Sequence, residues 1–453
     1  MKILFVNPPV IRSANSKPEN NFKVDGLVVS GFLGKIRGLT RIIRLANRIA
    51  GKEIRYGVRA GSRWPWTMSS PHGGPPYPFF MGYSAALLQA NGFETDIFDA
   101  VVNKEYNYQR FLEKVVNAKS DIAVIECSTP TIDIDLWFAE KLANFTEVAL
   151  AGHHLVQEAE NLQRKNPCIR YLLKGEYILS SLKMAKTKRK GIYEPEVVKE
   201  IDAIPFPFRN FRGGECYYDP TMPTKRPQLQ IYGSKGCPFK CTFCAWPQTM
   251  YFGNVSLRDP KKISEEIKEA VKLHGYKSIF FDDDTFNLGT DRIATLCDCL
   301  KKIGLPWTMM GRLDCSPVWL YDKMVVSGCV GMRFGIETFD LEILKKVKKG
   351  IEKKDFLAIL KNITAKFPHV MIHLTMMKDM PGMTDEMHNH DMKILKELGY
   401  ATNNIMRSYQ LSQCVPFPGT EMYRELAGKY GAETLNEYRL YDGGQETVMK
   451  NIK

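Results

Sequence analysis

Two runs of alternating strand-like and helix-like segments, separated by a proline-rich stretch, limit what this 453-residue chain can become. In the first run, short apolar segments near 2–7, 95–100, 121–127, 147–152 and 170–174 read as strands. Helix-length segments near 79–90, 108–116, 133–143 and 155–164 fall between them. Strands alternating with helices pair in parallel, because each crossover helix carries the chain back over the sheet. The pattern predicts a doubly wound, Rossmann-like α/β domain of five strands over residues 1–200, and ligands of such folds sit at the carboxyl ends of the strands. From 201 to 227, five prolines and the Gly213-Gly214 pair forbid a long helix, so this stretch reads as an interdomain linker. Beyond it, strands near 229–232, 278–282, 307–311, 331–335, 370–376 and 405–411 resume the alternation. Six such units predict a partial TIM-type barrel over 228–430, with its site at the strands' carboxyl ends, and leave 431–453 as a C-terminal tail.

A long insertion, about 11–74, follows the first strand. Within it Phe32, Ile36, Leu39, Ile43, Ala46 and Ala50 recur at helical spacing, with Lys35, Arg37, Arg41, Arg44 and Arg48 mainly on the other side. Such a basic amphipathic helix packs on the domain as a lid or, alternatively, makes peripheral contact with an anionic membrane through residues 32–50. Residues 1–63 hold thirteen Lys and Arg against Glu19, Asp25 and Glu53, which is most of the chain's net charge of +13. The remainder is near neutral, so no nucleic-acid partner is expected. The opening strand is cut off by Asn7, Pro8 and Pro9, and no apolar run reaches the ~20 residues of a membrane span. Eleven scattered cysteines point to a reducing compartment. The expectation is a cytoplasmic protein, with membrane association as the alternative. Eight of the cysteines, Cys127, Cys168, Cys216, Cys297, Cys299, Cys315, Cys329 and Cys414, read mostly as small buried residues.

The other three lie together. Gly236-Cys-Pro-Phe-Lys-Cys-Thr-Phe-Cys-Ala245 spaces Cys237, Cys241 and Cys244 as C-x3-C-x2-C directly after the first barrel strand. Three thiolates hold three irons of a four-iron, four-sulfur (4Fe-4S) cluster and leave the fourth iron open. An open iron chelates the amino and carboxylate groups of S-adenosylmethionine (SAM) and passes an electron to its sulfonium. Zinc is the alternative, but a structural zinc site closes on four ligands, and no fourth Cys or His follows at finger spacing. A redox dithiol uses fewer cysteines than this loop supplies.

This spacing, with the aromatic Phe243 before the last cysteine, resembles the signature of the radical SAM superfamily. The likeness continues at the later strand ends, in Phe281-Asp-Asp-Asp284, Gly311-Arg-Leu-Asp314, Gly335-Ile-Glu-Thr338, Met380-Pro-Gly-Met383 and Pro416-Phe-Pro-Gly-Thr420. It implies SAM near Phe243, Asp282, Arg312 and Glu337, with Glu337 accepting from a ribose hydroxyl and Arg312 pairing with the carboxylate. Each acid also fits a helix cap. The aspartates 282–284 do not converge on a divalent metal, because alternate residues of a strand point oppositely. The resemblance also implies a reducing electron donor such as flavodoxin or ferredoxin.

In the first domain, Val6-Asn-Pro-Pro9, Ser128-Thr-Pro-Thr131, Gly152-His153 and Gly175-Glu176 follow successive strands. In this order, ahead of the linker and the cysteine motif, they resemble the cobalamin-binding domain fused to many radical SAM enzymes. That likeness implies cobalamin over Asn7, Gly152, His153, Gly175 and Glu176, with Ser128, Thr129 and Thr131 lining the slot for its nucleotide tail. The D-x-H-x-x-G motif that supplies a histidine to cobalt is absent. Trp64 and Trp66, in Arg63-Trp-Pro-Trp66, are candidates to cover the lower face, with plain aromatic burial the alternative for each.

These resemblances imply a cobalamin-dependent radical SAM methyltransferase acting on an unactivated carbon of a small-molecule or lipid substrate, the basic helix being the only sign of lipophilicity. Cyclisation, rearrangement or carbon–carbon coupling with the same cofactors is the alternative. A non-catalytic cobalamin or iron–sulfur sensor is a third reading.

Overall fold

The computed structural model describes residues 1–13, 37–52, 54–57, 67–68, 74–222, 224–351, 356–402, 404–441 and 447–452. Its first sheet has six parallel strands: β1 (Lys2–Asn7), β2 (Glu94–Asp99), β3 (Ile122–Glu126), β4 (Glu147–Gly152), β5 (Tyr171–Lys174) and β6 (Gly191–Tyr193). They are ordered β2-β1-β3-β4-β5-β6, so the strand order reverses at β1 and the crevice outside β1 and β3 is the topological switch point. The five-strand reading lacks β6 and the helix Ile178–Thr187 before it. β6 is three residues long and partly exposed, too short to show an alternating pattern.

The second sheet runs in chain order through β7 (Gln228–Ile231), β8 (Ser278–Phe281), β9 (Trp307–Gly311), β10 (Cys329–Glu337), β11 (Met371–Lys378) and β12 (Arg407–Gln413), all parallel. Ile279, Phe281, Met309, Met332, Phe334, Ile372 and Leu374 bury their side chains under the covering helices. Intervening positions such as Thr308, Arg333, His373 and Thr375 are polar and face the lumen, opposite to the covered side. The helices start and stop on local signals: the Asp259 side chain accepts from Lys261 N–H ahead of Pro260–His274, and Gly275 ends that helix at φ 66°.

The two halves of the chain are joined through one of the apolar clusters of the first sheet. One face of the first sheet buries Val6, Ile125 and Leu150 under the helices Tyr108–Asn117, Ile132–Leu142 and Leu155–Lys165. The other face buries Phe5, Val124 and Tyr171 in a cluster that continues through the helix Phe79–Ala90 into Tyr232, Trp246, Met250 and Tyr251 of the second half. Phe79 stacks on Tyr232 at 3.8 Å between ring centroids. Shared apolar burial of this kind opposes the independent motion of two domains.

The proline-rich stretch does more than connect. Tyr217 is buried and donates to Asp99 of the first domain at 2.7 Å, while Asp219 pairs with Arg333 inside the barrel at 2.7 Å. The expected tail is also part of the fold, since Leu435, Leu440, Tyr441 and Val448 pack with Val415 and Tyr423. In the insertion, a helix spans Arg37–Ile49. Leu39 and Ile43 are half-buried, but Ala46 and Ala50 are exposed, as is a second apolar stripe of Ile42, Leu45 and Ile49. Phe32, Lys35, Ile36, Trp64 and Trp66 lie outside the described residues.

A buried ion pair crosses from one domain to the other beside the cysteine loop. Lys235 Nζ lies 2.5 Å from Glu176 Oε2 and donates to Val198 O at 2.7 Å, while Glu176 Oε1 accepts Val198 N–H at 2.7 Å. Burial pushes the carboxyl up and the ammonium down, and each partner opposes the shift. Removing one member leaves the other charged and buried, which costs about 3–5 kcal/mol, whereas replacing both with apolar groups is close to neutral. Glu176→Gln should therefore lower the melting temperature sharply, and Glu176→Met combined with Lys235→Met should recover most of the loss. Equal loss in the single and double variants, followed by circular dichroism, would contradict this role.

Candidate active site

A cavity of about 530 Å³ opens at the carboxyl ends of the second sheet. Cys237, Cys241 and Cys244 line it together with Phe243, Asp284, Arg312, Glu337 and Lys349. The cysteine loop leaves β7 through a short antiparallel pairing of Ser234–Lys235 with Ser256–Leu257. Gly236 follows at φ 87°, where a Cβ would lie 2.1 Å from Asn254 O, so the turn admits only glycine.

One side chain holds the loop from beneath. Gln248 Nε2 donates to the carbonyls of Cys241 (3.0 Å), Thr242 (3.2 Å) and Cys244 (2.9 Å), while its Oε1 accepts Glu421 N–H at 2.7 Å. The Thr242 N–H donates to Val347 O at 3.0 Å, and Cys237 Sγ lies 3.4 Å from Thr285 Oγ1. Burial pushes all three thiols up, and at Cys244 the neighbouring Cys241 and Cys237 add to the shift. Among the described residues no three His, Cys, Asp or Glu side chains form a site for a single metal ion. A mononuclear site needs donors converging within ~2.3 Å of one point, whereas a cubane takes its thiolates at separate corners.

The expected SAM contacts divide. Phe243, Arg312 and Glu337 line the cavity; Asp282 is buried at the end of β8 and is not among the lining residues, whereas Asp284 is. Asp284 accepts Gly236 N–H at 3.1 Å, and Asp283 ties down the end of β7 by accepting from Gly233 N–H at 2.9 Å and from the Ser234 hydroxyl at 2.6 Å. Arg312 is committed within the protein: it donates to Asp314 at 3.0 and 2.6 Å and to Lys349 O at 2.8 Å, and it stacks 3.6 Å from the Phe239 ring centroid. Glu337 pairs with Lys349 at 2.6 Å, both buried, in a left-handed turn at φ 67°. Gln248 and Lys349 carry no spacing signal and are absent from the sequence reading.

At the first domain's strand ends, Asn7 donates to Asp99, Thr129 Oγ1 lies 3.2 Å from His154 Nδ1, and Thr131 donates to Asp135 at 3.0 Å. Ser128 N–H also reaches Asp135, at 3.3 Å. The hydroxyls of Thr129 and Thr131, expected to line a nucleotide slot, are thus engaged internally, and the turn Tyr438–Leu440 lies against Thr129–Thr131. Gly152 and Gly175 have positive φ, and a Cβ on Gly175 would meet Thr249 O at 2.6 Å, so this glycine admits the helix after the cysteine loop. Glu176 belongs to the interdomain ion pair. His153 sits between Trp246 and Phe417, with ring centroids 5.1 and 6.0 Å away, and burial lowers its pKa to about 4, which keeps it neutral. Both His153 nitrogens, His154 Nε2, Trp246 Nε1 and Asn7 Oδ1 are buried without a hydrogen-bond partner among the described residues.

The loop geometry predicts that Gln248→Leu, which strands three carbonyls at about 1–3 kcal/mol each, lowers iron retained per chain after anaerobic reconstitution and desalting, with an unchanged far-ultraviolet spectrum. Full iron retention would show that the loop does not depend on this side chain.

Residues 231–395 match the Radical SAM superfamily. The chain is 25% identical over 387 residues to an uncharacterized methyltransferase of Pyrococcus horikoshii, covering 79% of this chain and 80% of that one. It spans only about half the length of several other curated relatives that it matches. In structure it resembles the radical S-adenosylmethionine methyltransferase TsrM from Kitasatospora setae, solved with cobalamin and a [4Fe-4S] cluster bound, with a TM-score of 0.58, 15% identity, and 78% and 73% of the two chains covered. The cobalamin-dependent S-adenosylmethionine radical enzyme OxsB matches with a TM-score of 0.54 and 14% identity, over 83% of this chain and 55% of that one. The match to the radical SAM superfamily thus covers the second sheet and its cysteine loop, and the chain as a whole shares the two-domain fold of these two solved enzymes.

Proposed function

We propose that this chain is a cobalamin-dependent radical SAM methyltransferase that uses Cys237, Cys241 and Cys244 to hold a 4Fe-4S cluster. The observation that carries the reading is one cavity bounded by the three thiols, the Glu337–Lys349 pair and the aromatic wall of Trp246, Phe417 and Tyr441, with His153 of the first domain packed behind that wall.

The donor sets fit both groups. Burial holds all three thiols protonated, at Cys244 with the help of Cys241 and Cys237, and a cationic iron centre would favour their thiolate forms. Cobalamin is rich in amide side chains, which can satisfy the buried unpartnered atoms of Asn7, His153, His154 and Trp246. When bound, the cluster supplies the electron that cleaves SAM to a 5′-deoxyadenosyl radical, and cobalamin supplies the methyl carrier.

The protein's own residues position and enclose. Lys349 orients the Glu337 carboxylate to accept from a ribose hydroxyl, and Asp314 fixes Arg312 against Phe239 at the cavity wall. Met310, Met376, Met377 and the aromatic wall keep water from the reacting carbon. A reducing electron donor such as flavodoxin or ferredoxin supplies the electrons.

Anaerobically reconstituted protein given SAM and dithionite should form 5′-deoxyadenosine, and Cys→Ala at 237, 241 or 244 should abolish it. A cell-extract component should gain one methylene only when cobalamin is added. Loss of two hydrogens, or an isomer, would replace methyl transfer by cyclisation or rearrangement, and absence of 5′-deoxyadenosine from the wild type would overturn the radical reading altogether.

A further inference from the structure

The second sheet does not close on itself. Its last strand, β12, pairs with β11 along its whole length and, among the described residues, with no strand on its other side. The Ile372 N–H donates to Met406 O at 3.0 Å, and the Cys414 N–H donates to Lys378 O at 2.8 Å. In a parallel ladder alternate residues turn both backbone groups to the same neighbour, so Ser408, Gln410 and Ser412 are satisfied by β11. The N–H and C=O groups of Tyr409, Leu411 and Gln413 point the other way, and none of them has a hydrogen-bond partner among the described residues.

This free edge borders the cavity. Gln410, Leu411, Ser412 and Gln413 line it in an unbroken run, although alternate side chains of a strand point to opposite faces, so the space follows the edge of β12 as well as its inner face. Cys237, Cys241 and Cys244 line the same space. An edge that meets only water is usually blunted by lysine, proline or a bulge, and β12 has none of the three. Its one charge, on Arg407, is turned inward and donates to the carbonyls of Val370 (2.7 Å), Thr364 (2.7 Å) and Phe367 (3.0 Å). Gln410 donates to Ser412 at 2.9 Å, both uncharged, and Leu411 is 41% exposed.

We infer that the open edge of β12 docks the substrate, and that this substrate is an extended peptide. Its backbone pairs with Tyr409, Leu411 and Gln413, and the side chain that carries the reacting carbon turns into the cavity beside the cysteines. The outward groups recur at every second residue, about 6.6 Å apart, which is the repeat of an extended polypeptide. No charged side chain of β12 faces this edge, so main-chain amides supply the recognition. The inference names a substrate class for the proposed radical SAM activity and rests on that reading, yet docking is testable without turnover.

The test is hydrogen–deuterium exchange, resolved to single amides, on full-length reconstituted protein. The probe is a mixture of acetylated, amidated heptapeptides of random sequence. Without peptide, the amides of Tyr409, Leu411 and Gln413 should exchange faster than those of Ser408, Gln410 and Ser412. The mixture should slow the three fast amides at least about tenfold, and the same mixture N-methylated at every residue should not. Leu411→Pro removes an outward N–H without touching the ladder to β11 and should abolish the slowing at Tyr409 and Gln413, whereas Leu411→Ala should keep it. Should Leu411→Pro fail to fold, the N-methylated mixture decides alone. Unslowed amides in the wild type overturn the inference, as do equal slowing by the methylated mixture or slowing that survives Leu411→Pro. Slowing without peptide that grows with protein concentration would assign the edge to a second copy of the chain and overturn it too. Loss of 5′-deoxyadenosine formation with the slowing intact would instead count against the radical chemistry.

Discussion

Three thiols held in one short loop resist becoming thiolates together, and the structure around them is arranged to keep them in place until a cation compensates. Gln248 spans the loop's carbonyls, Gly236 makes the entering turn, and the Val347 carbonyl holds Thr242 from the outside. The cost of bringing the cysteines together is met by hydrogen bonds and packing in the protein, so binding iron does not also have to order the loop.

The same loop is the joint between the two halves of the chain. Lys235 precedes it and is buried against Glu176, Trp246 follows it and touches His153, and Thr249 lies where Gly175 leaves room. A displacement of the first domain therefore reaches the cysteines within a few residues. For a reaction in which a methyl carrier on one domain and a radical on the other must meet the same carbon, this rigid coupling fixes the separation of the two.

Much of this was legible in the sequence, for identifiable reasons. Most strands announce themselves as buried apolar runs, though the short β6 and the half-exposed polar β12 do not, and the cysteines announce themselves as a spacing that few other chemistries use. Arg312, Glu337 and Phe243 fall at strand ends, where topology brings them to the cavity. Residues whose partners are remote in sequence carry no such signal. Gln248 is one polar residue on a five-residue helix, Lys349 meets Glu337 only because a turn returns to the barrel mouth, and Asp219 sits in a stretch whose prolines say linker but whose side chains floor the lumen. Tyr441 reads as tail yet lines the cavity. Glu176 stands at a strand end like a ligand contact, but the nearby Lys235 claims it.

The account depends on a cluster that keeps one iron free for SAM. Mössbauer spectroscopy of protein reconstituted anaerobically with iron-57 reads this directly. The account predicts that one iron site in four changes its isomer shift when SAM is added, and that the other three do not. Four equivalent sites indifferent to SAM, or a two-iron spectrum, would contradict it.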